Sequence, residues 1–138
     1  MGKKIVHGTL HKAGEDYLEA VLCLEREKGT VRSVDVADWL GYTKPSVSRA
    51  VSVLGQAGYL KMDGDRSLHL TPVGRAIGEE IYARHCFFKE FLRDLGVDEK
   101  IAEQDACRME HDISEESFDC LKTMLEKIRA ERMGAENP

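Results

Sequence analysis

Thr43-Lys44-Pro45-Ser46-Val47-Ser48-Arg49 opens the stretch that decides the fold. Thr43 offers a hydroxyl to the unpaired N–H groups of a helix start, and Pro45 falls in the first turn, where a missing N–H costs little. Val47, Val51 and Leu54 recur at spacings of four and three, which predicts a helix to about Ala57 with that stripe facing inward. Gly58 ends it. Just upstream, Ser33 reads as the cap of a short helix, with Asp35 and Asp38 early and Val34, Ala37 and Leu40 apolar. Gly41-Tyr42-Thr43 breaks that helix. Two short helices joined by a tight glycine-containing turn make a helix-turn-helix.

Downstream, Tyr59-Leu60-Lys61-Met62 and Ser67-Leu68-His69-Leu70 flank Asp63-Gly64-Asp65-Arg66, which reads as a hairpin. A hairpin directly after a helix-turn-helix is a wing. Upstream, Thr9 to Lys28 is helical: Tyr17, Val21 and Leu24 share a stripe with Leu18 and Leu22 beside them, and Gly29 stops the run. Residues 1–9 read as frayed. After the wing, Thr71-Pro72 opens a long helix to about Leu95, stopped by Gly96. Two more helices are expected, Asp98 to about Asp112 and Ser114 to about Arg132, joined at Ile113, with residues 134–138 as a tail. The fold class is mainly α with a small β-hairpin: an N-terminal winged helix-turn-helix, residues 1–74, followed by a helical domain, residues 75–138.

The 138 residues carry a net charge of −5, which argues against a general nucleic-acid coat protein. The charge is uneven. Residues 1–74 hold ten Lys/Arg against nine Asp/Glu, and residues 75–138 hold ten against sixteen, so +1 and −6 make up the total. The first half is therefore free to meet a polyanion. No apolar run approaches the ~20 residues of a membrane span, and the lysines at positions 3 and 4 are not followed by an apolar core, so a cytoplasmic chain is expected. In that reducing setting Cys23, Cys86, Cys107 and Cys120 should not pair as disulfides, and no CxxC is present. Cys23, Cys86 and Cys120 read as core thiols.

The second helix of a helix-turn-helix enters the major groove with its N-terminal residues on base edges. With Val47, Val51 and Leu54 turned inward, Lys44, Ser46, Ser48 and Arg49 are left on the outer faces beside Pro45. Hydroxyls and cations suit phosphate positioning and base-edge hydrogen bonds, and Arg49 suits a bidentate guanine contact. Lys61 and Arg66 in the wing can reach phosphates or a minor groove. A winged helix used only for protein contacts is the alternative.

The acidic half holds a second constellation. In Cys107-Arg108-Met109-Glu110-His111, positions i, i+3 and i+4 place a thiol, a carboxylate and an imidazole on one expected helix face, a transition-metal donor set. Asp16 and Glu19 share a face of the first helix, and His85 lies midway along the long helix. Each alone reads more simply as a solvated acid, a hydrogen-bonded histidine or a core thiol. The C-x-x-E-H cluster is harder to explain so, because burying Glu and His beside Cys without a partner is costly.

These residues carry a resemblance. Glu15-Asp16-Tyr17-Leu18-Glu19, Asp35 to Leu40 with Pro45 to Ser48, Leu70-Thr71-Pro72-Val73-Gly74, Arg84-His85, Phe91-Leu92, Leu95-Gly96-Val97 and Asp105 to His111 together resemble the diphtheria-toxin-repressor family of metal-dependent repressors, in its short manganese-regulator form, over nearly the whole chain. The resemblance implies a DNA-binding repressor of metal-homeostasis genes. Asp16, Glu19, His85, Cys107, Glu110 and His111 would be its metal ligands, and residues 75–138 its dimerisation and metal-binding domain. Manganese-type members resemble the chain at Asp16 and Glu19 but carry Glu in place of Cys107. Iron-type members resemble it at Cys107 but carry Met in place of Asp16. Their ancillary site uses a Glu four residues past the shared histidine, where this chain has Lys89. The chain also stops before the SH3-like third domain of longer members.

Fe(II) or Mn(II) is the expected cofactor, with iron favoured by the Cys107 sulfur, and a binuclear site bridged by Glu19 or Glu110 is open on this donor set. Zn(II) and other divalent transition metals would substitute in vitro by the Irving–Williams order. The expected partners are a double-stranded DNA operator and a second copy of the chain, with no membrane and no small organic ligand. The homodimer is expected from the apolar load of the long helix: Ile77, Ile81, Phe87, Phe88, Phe91, Leu92 and Leu95. Two rivals stand beside this reading. A metal-independent winged-helix regulator of drug-response type has no use for the C-x-x-E-H face. A di-metal hydrolase needs a water-activating base and a substrate pocket, for which the sequence holds no spare residues. No enzyme activity is expected.

Overall fold

The computed structural model describes residues 12–136. Its elements are α1 (Lys12–Lys28), α2 (Ser33–Leu40), α3 (Lys44–Gln56), β1 (Leu60–Met62), β2 (Leu68–Leu70), α4 (Pro72–Asp94), α5 (Glu99–Met109) and α6 (Glu115–Glu136). The predicted start of the first helix at Thr9 and the frayed residues 1–9 lie outside the described residues. The chain forms two compact units, divided between Ala83 and Arg84 within α4.

The N-terminal unit is a winged helix-turn-helix. Its core gathers Leu18, Val21 and Leu22 of α1, Val36 and Ala37 of α2, Val47, Val51 and Leu54 of α3, Leu60, Leu68 and Leu70 of the wing, and Ile77 and Ile81 of α4. The stripe on α3 is the one its spacing predicts. Thr43 caps α3, its hydroxyl oxygen accepting the Ser46 N–H at 3.3 Å, and Pro45 sits in the first turn. Gly41, at φ 72°, ends α2 in the left-handed backbone that favours glycine. The α2 start differs from expectation. Arg32 is the N-cap and Ser33 already helical, because Asp35 reaches back to accept the Arg32 N–H at 2.8 Å. Val34 is correspondingly exposed, and Val36 takes its place in the core.

β1 and β2 pair antiparallel, with Leu60 opposite Leu70 and Met62 opposite Leu68. Leu68 N–H also donates to the Val31 carbonyl at 2.7 Å, tying the wing to the segment before α2. Thr71 joins the wing to α4. Its hydroxyl donates toward the carbonyls of Gly58 (2.7 Å) and Tyr59 (3.2 Å) and accepts the Gly74 N–H (3.1 Å). Gly74 packs so closely on the Tyr59 carbonyl that no side chain fits there.

The C-terminal unit has a smaller core of Phe88, Ala106 and Phe118, with Phe87, Met109 and Ile113 packed against it. Asp98 caps α5, and Ser114 accepts the Ser117 N–H at the start of α6. Two boundaries differ from the sequence reading. α5 stops at Met109, not near Asp112, and α6 runs through Gly134 to Glu136, where a tail was expected. A glycine inside a helix costs about 1 kcal/mol, too little to end one. The apolar residues of the long helix are also placed otherwise than expected. Ile77, Ile81 and Phe88 are buried within their own units, while Leu95 of the α4–α5 turn and Leu121, Met124 and Ile128 of α6 are exposed. Cys120 is exposed too, and Cys23 and Cys86 are only half-buried, so the expected fully buried core thiols are absent among them.

Candidate metal centre and nucleic-acid face

Lys44, Pro45, Ser46, Ser48 and Arg49 are all exposed, on the side of α3 away from its buried stripe. The Ser46 hydroxyl is engaged by Thr43 at 2.8 Å, whereas Ser48 and Arg49 stand two and three residues further along α3. Lys61 and Arg66 are exposed on the wing. Arg66 adopts φ 67°, a left-handed conformation that a non-glycine residue holds at a cost. The turn enforces it: Arg66 N–H donates to the Asp63 carbonyl (2.9 Å), and Asp63 N–H donates to that of Ser67 (3.0 Å). The Asp65 carboxylate accepts the Ser67 hydroxyl at 2.7 Å, which holds that acid below its usual pKa.

Asp16 and Glu19 sit half-buried on one face of α1, each with a carboxylate oxygen within 4.8 Å of the other. The other four proposed ligands lie in the C-terminal unit. Cys107 is on α5, exposed. Glu110 is the helix C-cap, still in right-handed helical backbone with its N–H on the Ala106 carbonyl, and His111 lies in the turn beyond it. Cys107 and Glu110 both turn to His85, and Glu110 meets His111 as well.

His85, on α4, is the hub. Its Nδ1 lies 3.1 Å from Glu110 Oε2 and 3.7 Å from Cys107 Sγ, and its Nε2 lies 2.9 Å from Glu103 Oε1. His111 Nε2 stands 3.3 Å from the other Glu110 oxygen, and both side chains are 1% exposed. The hydrogen bonds to Cys107 and Glu110 push the His85 pKa up to about 11 against the opposing effect of burial. Burial works to raise the Glu110 pKa, but His111 and His85 outweigh it and hold the carboxyl below its ordinary value. The imidazolium of His85 thus supplies positive charge between two acids, the charge a divalent ion would supply.

Glu103 was not anticipated from the sequence. One ligand atom from each of His85, Glu103 and Cys107 falls within 4.8 Å of the others. Its other oxygen pairs with Lys89 at 3.0 Å. Glu103 lies four residues before Cys107, so its helical face was legible, although its partner on α4 was not. A thiol, carboxylates and imidazoles converging at these separations fit a first-row divalent transition ion, provided His85 gives up its proton.

A winged helix bearing an exposed cationic face, joined to a helical unit that buries Glu110 between two histidines, defines the class of metal-dependent transcriptional regulators. Residues 9–68 match the iron dependent repressor N-terminal DNA binding domain, and residues 71–138 match the iron dependent repressor metal binding and dimerisation domain. The chain belongs to the iron-dependent repressor family, whose members are regulators and not enzymes. It is 37% identical over 113 residues to the transcriptional regulator MntR of Escherichia coli O6:H1 strain CFT073, covering 82% of this chain and 73% of that protein. It is 37% identical over 112 residues to the HTH-type transcriptional regulator MntR of Bacillus pumilus strain SAFR-032, covering 81% and 78%. The fold is that of the manganese regulator SloR, with a TM-score of 0.73 at 23% identity over 82% of this chain. The chain spans about half, 53%, of the SloR chain. No described helix is long and apolar enough to cross a membrane.

Proposed function

We propose that the chain is a metal-responsive repressor of metal-homeostasis genes that binds a double-stranded DNA operator as a homodimer. The observation that carries this reading is Glu110, a carboxylate 1% exposed between the imidazoles of His85 and His111, in a chain that also presents an exposed cationic recognition helix. Asp16, Glu19, His85, Cys107, Glu110 and His111 would hold the ion, which when bound supplies the charge that these carboxylates share. The cofactor is Fe(II) or Mn(II). The oxygen and imidazole donors and the likeness to a manganese regulator support manganese, and the Cys107 sulfur pulls toward iron. A binuclear site bridged by Glu19 or Glu110, and replacement by Zn(II) in vitro, belong to the same proposal.

On the DNA side, Lys44, Pro45, Ser46, Ser48 and Arg49 meet the major groove, with Arg49 on a guanine edge, and Lys61 and Arg66 meet the backbone or minor groove. DNA contacts fall before Gly74 and metal and dimer contacts after it, with Asp16 and Glu19 as the exception. Ligands therefore come from both halves of the sequence, and metal affinity and operator affinity are linked: whatever factor the ion adds to one, DNA adds to the other. The chain acts in the cytoplasm with no small organic ligand. A gel-shift titration tests the reading. Operator affinity rises with Mn(II) or Fe(II) and falls with chelator; indifference to chelator refutes it. For the metal, Cys107→Glu is expected to move the preference toward manganese, and an unchanged Fe/Mn ratio removes Cys107 as the selector.

A further inference from the structure

Arg84 is wholly buried, next to His85 on α4. Its Nη1 donates to the main-chain carbonyls of Ile113 at 2.8 Å and Glu110 at 3.2 Å, and its guanidinium lies over the Phe118 ring at 5.2 Å. A guanidinium cannot shed its charge at any ordinary pH, so its burial is sustained only by strong acceptors. Two of those acceptors are carbonyls of the segment after α5, that of Glu110 at the helix end, where oxygens lack intrahelical partners, and that of Ile113 beyond it. After Glu110, whose N–H still donates to the Ala106 carbonyl (3.0 Å), the ligand turn leaves the helix, and Asp112 N–H to the Met109 carbonyl (3.2 Å) is its further main-chain bond.

One helix therefore grips Glu110 twice. Arg84 takes its carbonyl, and His85 takes its carboxylate at 3.1 Å. We propose that Arg84 is a positioning residue for the metal centre, fixing the 110–113 turn so that the Glu110 carboxylate and the His111 imidazole are set before an ion arrives. The inference rests on the reading of Glu110 and His111 as ligands. Arg84 touches no reacting atom; it removes the cost of ordering the turn during binding. Phe118 completes the device, since its ring covers the guanidinium and packs on Phe87 and Phe88.

The test is a Co(II) titration of the full chain, following the visible ligand-field bands and the affinity together, with circular dichroism to confirm folding. Arg84→Met is expected to weaken cobalt binding about 10- to 100-fold and to alter the bands, as loss of an orienting partner does. Arg84→Lys, which keeps the charge but cannot span both carbonyls, is expected to fall between Met and the unaltered chain. A merely structural arginine would lower the melting temperature and leave the bands and affinity of the folded variant unchanged. That result in Arg84→Met overturns the inference, and in Arg84→Lys it does so if the Met variant does not fold. Failure of the unaltered chain to bind cobalt overturns the metal reading itself, and this inference with it.

Discussion

The Lys89 ammonium stands 3.0 Å from one Glu103 oxygen, and the other Glu103 oxygen meets His85 at 2.9 Å. Lys89 occupies the position at which the iron-type relatives are expected to carry an acid, and it brings a built-in cation to the edge of the proposed centre. Replacing it with methionine removes a positive charge that repels an incoming ion. The pair is partly exposed, so the change is expected to be about 0.5–1 kcal/mol, a two- to fivefold fall in the dissociation constant for Mn(II) or Co(II). Competition against a metallochromic dye measures it. An unchanged or weakened affinity would show that Lys89 does not oppose the ion.

Arg66 pays a conformational cost at the wing tip, which makes its replacement diagnostic. Arg66→Gly relaxes the left-handed backbone and is expected to raise stability by about 0.5–1 kcal/mol. If the side chain meets a phosphate, the same change lowers operator affinity and reduces the salt slope of binding by about one unit. Thermal melts and salt-dependent binding isotherms should therefore move in opposite directions.

Close packing at the start of α4 predicts a graded pair. A Cβ at position 74 would collide with the Tyr59 carbonyl, a main-chain group that cannot turn aside, whereas one at position 78 would approach the Leu18 carbonyl at 3.2 Å. Gly74→Ala is expected to cost about 3 kcal/mol or more and Gly78→Ala about 1 kcal/mol or less, since a small overlap is offset by better helix propensity. Urea unfolding separates them.

Asp35 gives a pH signature. The Lys28 ammonium at 2.8 Å and then the Arg32 N–H hold its pKa below the ordinary 3.8. A depressed acid contributes stability that is present above its unfolded pKa and lost as pH falls through its folded one. Asp35→Asn is thus expected to be less stable than the parent by about 0.5–1 kcal/mol at pH 7, the difference vanishing in strongly acidic buffer. Melting curves across pH 2–7 check this.

The winged helix was legible in the sequence because its signals are local: Thr43, Pro45, Gly41, Gly58 and the period of Val47, Val51 and Leu54 each act over one or two turns. The metal centre was legible only as residue types. Cys107, Glu110 and His111 have helical spacing whether or not the helix continues, so the stop at Met109 and the Arg84 hydrogen bonds to the Glu110 and Ile113 carbonyls left no trace in the pattern. Glu103, Lys89 and Arg84 acquire meaning only when α4 and α5 lie together, a tertiary fact. Ile77, Ile81 and Phe88 look like surplus apolar surface in the sequence because periodicity gives the amount of an apolar face and not the identity of what covers it.

The hydroxyl of Thr71 has a mechanical consequence. It binds the last carbonyls before β1 while it caps the helix that follows β2, so both ends of the wing are knotted at one atom. The Leu68 N–H on the Val31 carbonyl and the Thr71 N–H on that of Tyr59 add to the hold on its root. If Lys61 or Arg66 bears on a DNA backbone, as proposed, the load reaches the first turn of α4 through this oxygen and through the Thr71 N–H on the Tyr59 carbonyl.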